Sequence, residues 1–241
     1  MLARGGVTPL RSDALPDRMD NAVVIIRAHG VPPETLRSLE SRGCRVVDAT
    51  CPRVKTSQKK AFDARSRGES VFLVGERTHA ELVGIAGYAP DSAIVASAAE
   101  AAEEAERLHA VRPDARVTLI AQTTISAGEY EAIAQEFLAV FPGTSIERTI
   151  CPATADRLAA LESLCAECEA VVVVGGKESA NTRRLHTRAV ELGMPTWHIE
   201  EVEDLPAEVF AYGRVGITAG ASTPDEAIDA VEAALHGRAV R

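Results

Sequence analysis

The sequence predicts an α/β fold with mostly parallel sheets, and two observations carry this prediction. Short runs rich in Val and Ile recur with little alternation, which is typical of parallel strands covered on both faces. Amphipathic stretches of helical length lie between many of these runs, and such alternation implies βαβ units. The predicted strands are residues 23–26, 45–47, 71–74, 93–95, 117–120, 171–174 and 215–217, and the clearest helices are 56–67, 128–140, 155–168 and 182–192.

Residues that start and stop helices support this division. Ser126 and Glu129 are spaced as in a capping box, and Thr223 begins a second such pattern. Gly68 and Gly193 each follow a predicted helix, where glycine favours a helix stop.

Composition excludes several classes of protein. The 241 residues carry 26 Lys and Arg against 35 Asp and Glu, a net charge of −9, and aromatics make up 4%. A nucleic-acid partner is therefore not expected, because proteins that bind nucleic acids carry excess cations and aromatic stacking platforms.

No apolar run approaches the roughly 18 residues of a membrane helix, and the first 21 residues lack an apolar signal core. Five cysteines are too few for a disulfide scaffold, so we predict a cytoplasmic protein without membrane partners and with reduced thiols.

Polar residues follow most of the predicted strands. The loops carry His, Ser, Thr, Asn, Glu and Cys instead of inert turn residues. In open α/β sheets ligands bind at the carboxyl ends of the strands, where helix N-termini offer free N–H groups to anions. Neither nucleotide-binding glycine motif is present; residues 175–177 fit neither pattern. The loops are therefore predicted to bind a small anion.

Two cysteines lie in matching positions. Cys51 and Cys151 each occupy a strand-to-helix turn and precede a proline. Thiolates at helix N-termini have a lowered pKa and suit iron–sulfur clusters. Burial in the core is the alternative, and spacing alone leaves the two evenly balanced. The C-x-x-C pair Cys165 and Cys168 lies at the end of a predicted helix, and we interpret both residues as packing residues. Cys44 precedes a predicted strand and is likewise interpreted as structural.

Two histidines and three small polar residues form a candidate anion-binding set. A lone histidine is usually structural, but His29 and His79 both follow strands, and Ser179, Asn181 and Ser222 lie on parallel loops. Such donors bind phosphate oxygens without arginine.

Glu81 follows His79 by two residues and has two interpretations. A carboxylate there could simply favour the helix dipole. It could equally be a proton donor inside the crevice, and the sequence leans towards this second interpretation.

Seven motifs in a fixed order make the pattern specific. Together they closely resemble the IspH/LytB family of 4-hydroxy-3-methylbut-2-enyl diphosphate reductases, over essentially the whole chain. The motifs are A-H-G-V (28–31), D-A-T-C-P (48–52), T-H-A-E-L-V-G (78–84), Q-T-T-I-S (122–126), I-C-P-A-T (150–154), V-V-G-G-K-E-S-A-N (173–181) and V-G-I-T-A-G-A-S-T-P (215–224).

The resemblance implies three similar α/β units around a central 4Fe–4S cluster. Their joints would fall near Cys51 and Cys151, which gives units 1–51, 52–148 and 149–241, the first of them truncated. Both cysteines would be thiolate ligands of a cluster that keeps one iron open for substrate.

The resemblance also implies roles for the loop residues. Glu81 would deliver a proton to the hydroxymethyl group of a small allylic diphosphate, and Thr123 would position that group or relay the proton. The products would be isopentenyl and dimethylallyl diphosphate, with ferredoxin or flavodoxin as electron donor. The residues implied to grip the diphosphate are His29, His79, Ser179, Asn181 and Ser222.

One departure from the family concerns the cluster. The family's N-terminal G-F-C-x-G-V motif, which bears the first cluster cysteine, and its V-H-N motif do not occur here. Two thiolates are one fewer than the site requires, so this chain alone is expected to hold little stable cluster, to show no turnover and to expose apolar surface. The alternatives are a cluster-free diphosphate-binding homologue and a zinc protein using Cys51, Cys151 and His29 or His79.

Overall fold

The structure is a computed structural model that describes residues 6–10 and 15–238; residues 1–5 and 11–14, within the stretch predicted to lack a signal core, lie outside it. The strands are β1 Val23–Ile26, β2 Arg45–Asp48, β3 Ser70–Val74, β4 Ala93–Val95, β5 Val117–Ala121, β6 Ser145–Glu147, β7 Ala170–Val174, β8 Thr196–Ile199 and β9 Val215–Ala219. The α-helices are α1 Pro33–Ser41, α2 Pro52–Ser66, α3 Ala80–Ala86, α4 Ala98–Val111, α5 Ala127–Val140, α6 Pro152–Glu167, α7 Ala180–Glu191 and α8 Asp225–Arg238. Two short 3-10 helices, Val202–Asp204 and Ala207–Ala211, lie between β8 and β9.

The strands form three sheets. Their orders are β1-β2, β4-β3-β5-β6 and β8-β7-β9, and every strand pair is parallel. Because helices connect successive strands, the predicted α/β class with mostly parallel sheets is confirmed. Contacts divide the chain into two compact units, Met1–Ile150 with the first two sheets and Cys151–Arg241 with the third. The division into three units remains a prediction.

The central strands are buried on both faces, as their apolar composition predicts. All five residues of β5 and of β7 are buried. Alternate residues of β7 pack into different clusters: Val171 joins Leu161 and Leu185, whereas Val172 joins Ile199. Alternate side chains thus pack on opposite faces of the sheet. Because the strands are parallel, their carboxyl ends lie at one edge of each sheet.

Helix ends follow the local sequence signals closely. Ser126 and Glu129 form the predicted capping box at α5, and Gly68 and Gly193 take φ values of +75° and +77° just after α2 and α7. The Thr223 hydroxyl donates to the carbonyl of Val174 at 3.0 Å, and its capping box stays a prediction. Within the described part of the chain, no helix is both long and apolar enough to cross a bilayer.

Helices α2 and α6 begin about one turn earlier than predicted. Each starts at the proline that follows the cysteine of its Cys-Pro pair. Proline suits the first helical position because its fixed φ is helical and its missing N–H would have no partner there. Cys51 and Cys151 are consequently the N-cap residues of these helices.

The two-stranded sheet is covered on one face only among the described residues. Val24 and Ile26 pack with Leu39 of α1. On the other face Val23 and Ile25 are 52% and 60% exposed. The expected exposure of apolar surface is thus present on this sheet.

Candidate functional site

A buried carboxylate lies where the loops after β3 and β5 meet. Glu81, in the first turn of α3, is 2% exposed. Its Oε1 accepts the backbone N–H of Thr123, and its Oε2 accepts the Thr123 hydroxyl, both at 2.7 Å. Since β3 and β5 are hydrogen-bonded neighbours, the sheet itself brings these two predicted residues together.

Burial raises the pKa of Glu81 above that of a free glutamate, because the charged form loses its hydration. The hydrogen bonds from Thr123 act in the opposite direction and only partly offset this effect. The carboxyl group therefore keeps its proton to a higher pH than an exposed glutamate, which is the property of a general acid.

His79 is the N-cap of α3, directly beside Glu81. Its Nδ1 accepts the backbone N–H of Glu81 at 3.3 Å, so in the neutral ring the proton lies on Nε2. The rings of His29 and His79 are in edge contact, with centroids 5.3 Å apart. The two predicted histidines therefore lie side by side next to the acid.

The loop after β1 carries His29 and packs closely on α3. A Cβ at Gly84 would lie 3.4 Å from the His29 carbonyl oxygen, and Gly30 has a φ of +71°. The Nδ1 of His29 is buried and has no hydrogen-bond partner among the described residues. Burial, with smaller effects from Arg27 and His79, lowers the pKa of His29 to about 4. The His29 ring is thus neutral, and its Nδ1 is a buried polar atom without a hydrogen-bond partner among the described residues. Such atoms usually bind a ligand or a water molecule.

Cys51 lies next to this histidine loop. Its backbone N–H donates to the carbonyl oxygen of Ala28, the residue before His29, at 3.0 Å. The thiol is free and half-buried. In the first unit the structure therefore brings together five predicted site residues: Cys51, His29, His79, Glu81 and Thr123.

The second unit contains the predicted amide and hydroxyl groups. Ser179 is the N-cap of α7, and its Oγ accepts the backbone N–H of Thr182 at 3.4 Å. Asn181 is 8% exposed. The Asn181 Nδ2 and the Thr182 Oγ1 are buried without a hydrogen-bond partner among the described residues. These two atoms indicate a polar ligand at the start of α7.

Ser222 lies on the neighbouring loop after β9, which pairs with β7. The loop is tied to the end of β7, because the backbone N–H of Gly220 donates to the Val174 carbonyl at 3.0 Å. The side chain of Ser222 is exposed. Ser179, Asn181 and Ser222 therefore occupy one edge of the third sheet, as predicted from their positions after strands.

The loops after β3 and β7 share one backbone design. Gly75 and Gly175 directly follow these strands with φ values of +146° and +142°. The fourth residue after each glycine, His79 or Ser179, is a helix N-cap. The second helical residue is the acid Glu81 in α3 and the amide Asn181 in α7.

Gln122 is a positioning residue to which the sequence analysis gave no role. Its Oε1 accepts the backbone N–H of Glu76 at 2.9 Å, and its Nε2 donates to the Thr124 hydroxyl at 2.8 Å. A Cβ at Gly75 would lie 2.4 Å from the Gln122 Oε1. Gln122 thus joins the loops after β3 and β5 that carry Glu81 and Thr123. Its place in the Q-T-T-I-S motif was the available signal.

Comparison with known proteins shows the family of this chain. The family model described as LytB protein matches residues 1–236. The chain belongs to the LytB family. Two relatives named 4-hydroxy-3-methylbut-2-enyl diphosphate reductase are each 46% identical: one from Treponema pallidum (strain Nichols) over 88% of this chain, and one from Treponema denticola over 89%. The chain covers 61% and 74% of their respective lengths.

A solved structure shows the same fold as this LytB-family chain. It is a structure of (E)-4-hydroxy-3-methylbut-2-enyl diphosphate reductase, described as the terminal enzyme of the non-mevalonate pathway. The TM-score is 0.66 at 34% identity, over 93% of this chain and 79% of the other. The α/β class and the family resemblance are thereby confirmed.

The cysteines of the LytB-family chain only partly fit an iron–sulfur cluster. Cys51 and Cys151 are free, half-buried helix N-caps. Cys44 is buried with its Sγ 3.0 Å from the Leu39 carbonyl, and Cys165 packs against the core of the second unit. Among the described residues, no group of three or more His, Cys, Asp or Glu side chains is placed to hold a metal ion. These residues do not by themselves complete a cluster site, since such clusters take more than two thiolates.

Proposed function

We propose that this chain carries the substrate-binding and proton-transfer residues of a 4-hydroxy-3-methylbut-2-enyl diphosphate reductase. The observation that carries the proposal is the buried Glu81, with its raised pKa, held by Thr123 beside two histidines. The names of the relatives and of the similar solved structure support the same activity. The chain covers only part of each relative's length, so the activity is proposed for the protein to which these residues belong.

The reaction replaces a hydroxyl with hydrogen. In balanced form, R–OH with two electrons and two protons gives R–H and water, where R is the allylic diphosphate. Glu81 supplies the proton that lets the oxygen leave as water. The Thr123 hydroxyl, which donates to Glu81 Oε2 at 2.7 Å, orients the carboxyl. When Glu81 is protonated and the Thr123 hydrogen turns to the substrate oxygen, the Thr123 oxygen accepts the Glu81 proton as it gives its own to the substrate, which relays the proton.

The diphosphate is bound by neutral donors in this proposal. His79 offers an Nε2–H because its Nδ1 accepts a backbone N–H. His29 and Asn181 each have a buried polar atom without a partner among the described residues. Hydrogen bonds from these groups to phosphate oxygens would satisfy those atoms and fix the allylic end of the substrate near the acid. Ser179 and Ser222 are the remaining donors that we propose.

We propose Cys51 and Cys151 as two ligands of a 4Fe–4S cluster, within three α/β units of residues 1–51, 52–148 and 149–241. Such a cluster, when bound, supplies single electrons and an open iron. Cys44, which contacts the Leu39 carbonyl, and Cys165, which packs against the core of the second unit, are not proposed as ligands. We further propose a ferredoxin or a flavodoxin as the electron donor.

Substrate binding tests the proposal on the chain as it stands. Isothermal titration calorimetry with 4-hydroxy-3-methylbut-2-enyl diphosphate should show one site per chain. The Asn181→Ala variant should weaken binding by about tenfold, as expected for a lost hydrogen bond to a charged group, whereas Ser163→Ala on the exposed face of α6 should not. Absence of binding to the wild-type chain would refute the proposal.

Anaerobic reconstitution with iron and sulfide tests the cluster separately. Iron content, visible absorbance and turnover with a reduced viologen are measured on the wild type and on Glu81→Gln. With two thiolates we expect substoichiometric iron and no turnover. Substrate binding without any iron would favour the cluster-free diphosphate-binding homologue, which the partial fit of the cysteines keeps as a second candidate. Full turnover would show that the expected need for a third cysteine is wrong.

A further inference from the structure

A groove of about 540 Å³ on the first unit shares no lining residue with the site just described. It runs between α1, α2 and the segment after α3, and its lining contains no acidic side chain. Four cations line it: Arg37, Lys55, Lys59 and Arg65. Two aromatic rings, Phe62 and Tyr88, also line it.

The charge of this surface differs from that of the rest of the chain. Helix α2 has five basic residues and one acidic residue, whereas the whole chain has a net charge of −9. Asp48, Asp63 and Asp91 pair with three of the groove cations. These pairs are largely exposed and therefore weak. Arg37 is exposed and has no ion-pair partner among the described residues.

An exposed aromatic side chain lies among these cations. Phe62 is 53% exposed on α2, on the surface that also carries Lys59 and Arg65. Burial of an aromatic anchor surrounded by charges is a common arrangement in protein–protein interfaces. A single exposed apolar side chain is common on protein surfaces, so Phe62 supports an interface only together with the cations that surround it.

The groove begins next to the proposed cluster ligand Cys51. Cys51 is the N-cap of α2, and the backbone N–H of Lys55 donates to its carbonyl oxygen at 3.0 Å. At a rise of ~1.5 Å per residue, Lys55 and Lys59 lie ~6 Å and ~12 Å along the helix from Cys51. A partner bound in the groove would therefore contact α2, the helix whose N-cap is the proposed cluster ligand Cys51.

We propose that this groove is the docking surface for an acidic electron-transfer protein. The inference rests on the proposed function, because the reaction consumes two electrons that the side chains described above do not supply. The four cations complement exposed carboxylates on the partner and speed its encounter with this otherwise acidic chain. Phe62 packs against an apolar spot near the partner's redox group.

Direct binding tests this surface without requiring turnover. A plant-type ferredoxin and a flavodoxin, both acidic, are titrated into the wild-type chain at low salt and the dissociation constants are measured. A carbodiimide that joins carboxylates to lysines is then used to cross-link the complex, and mass spectrometry locates the joined residues. We expect saturable, salt-sensitive binding of at least one donor and cross-links at Lys55 or Lys59.

Charge reversal gives a matched control. Lys59→Glu and Arg37→Glu should each raise the dissociation constant by about tenfold. Arg107→Glu, on α4, serves as control: Lys59 and Arg107 are similarly exposed at 74% and 68%, and each pairs with an acid on its own helix. Circular dichroism checks that every variant is folded. Binding of neither donor, or equal losses in all three variants, would overturn the proposal.

Two further measurements distinguish this proposal from nucleic-acid binding at the same groove and from failure of the proposed function. Single-stranded RNA is titrated as a second anionic probe, and RNA binding that exceeds donor binding and depends on Lys59 would also overturn it. Titration with 4-hydroxy-3-methylbut-2-enyl diphosphate is repeated on each variant. If the substrate still binds while neither donor does, the docking surface is wrong and the proposed function stands. If the substrate does not bind to the wild type, the proposed function itself fails.

Discussion

Thr123 gives both of its hydrogen-bond donors to one carboxylate, that of Glu81: the backbone N–H binds Oε1 and the hydroxyl binds Oε2. Two donors favour the ionised form of a carboxylate, yet the pKa of Glu81 is still raised by burial. The cost of desolvation at this position therefore exceeds the gain from two short hydrogen bonds. This balance leads to a test that does not depend on activity.

Glu81→Gln should increase stability at neutral pH. Because the folded-state pKa of Glu81 is raised, the folded protein binds more protons than the unfolded chain once the pH exceeds the ordinary glutamate value of 4.5. The wild type therefore loses stability as the pH rises through that window, and the isosteric amide does not. In urea unfolding from pH 4 to pH 8, the free energy of unfolding of the variant should rise relative to that of the wild type as the pH increases. A constant difference would contradict the raised pKa.

His29 should stay neutral well below the usual histidine range. Its pKa of about 4 lies below the ordinary value of 6.5, so between these values the folded protein binds fewer protons than the unfolded chain. Stability that His29 contributes is complete above pH 6.5 and is lost as the pH falls towards 4. NMR titration of isotope-labelled histidine, assigned with His29→Gln, measures the pKa directly. Addition of inorganic pyrophosphate should raise it, because an anion stabilises the imidazolium; an unchanged value would exclude phosphate contact.

Asn181→Ala should weaken anion binding without weakening the fold. The Nδ2 of Asn181 is buried without a partner among the described residues, so its removal costs no intramolecular hydrogen bond. Removal of an unpaired buried donor offsets the lost packing of a small side chain, so we expect a change of at most about 1 kcal/mol in the free energy of unfolding. Affinity for inorganic pyrophosphate should fall by about tenfold. A large loss of stability would show that Asn181 is structural.

Gln122→Leu should destabilise the first unit. The change removes the acceptor of the Glu76 N–H and the donor to Thr124, which costs about 1–3 kcal/mol in a buried position. The matched control is Gln135→Leu on α5, whose amide contacts Glu131 on the exposed surface. We expect the control to change the free energy of unfolding by less than about 0.5 kcal/mol in urea titrations. Equal effects of the two substitutions on the free energy of unfolding would show that Gln122 is not a positioning residue.

Ile25→Thr should reduce self-association. Ile25 is 60% exposed beside Val23 on the uncovered face of the two-stranded sheet, and apolar surface on a short sheet promotes association. Threonine keeps the β-branched shape that strands favour. Val111→Thr changes an exposed but isolated side chain on α4 and should have no effect. Sedimentation velocity over a concentration series distinguishes the two.

Seven of the nine strands that the structure describes, and the residues that follow them, were predictable from local signals, whereas β6 and β8 were not predicted. Runs of valine and isoleucine mark buried strands, and parallel pairing necessarily places the next residues at one edge of the sheet. The capping box of Ser126 and Glu129 formed as predicted, since both partners lie within one turn. Thr223 also makes a contact that its local pattern does not predict: its hydroxyl donates to a carbonyl on β7, 49 residues away in sequence.

Long-range contacts account for what the sequence analysis did not foresee. Gln122 acts through Glu76, 46 residues earlier, and no spacing rule connects the two. The groove beside Phe62 arises from three segments that only the fold brings together. Burial, which sets the pKa values of Glu81 and His29, is likewise a property of packing that composition and periodicity do not encode.

The matching loops after β3 and β7 have a consequence for what a helix N-terminus presents to a ligand. Gly75 and Gly175 have similar φ values, His79 and Ser179 are both N-caps, and Glu81 and Asn181 are both the second residue of their helix. These pairs, like the two Cys-Pro turns, each lie 100 residues apart. The same local backbone therefore carries an acid in one loop and an amide in the other, so the chemistry of each loop depends on the side chain at this one position.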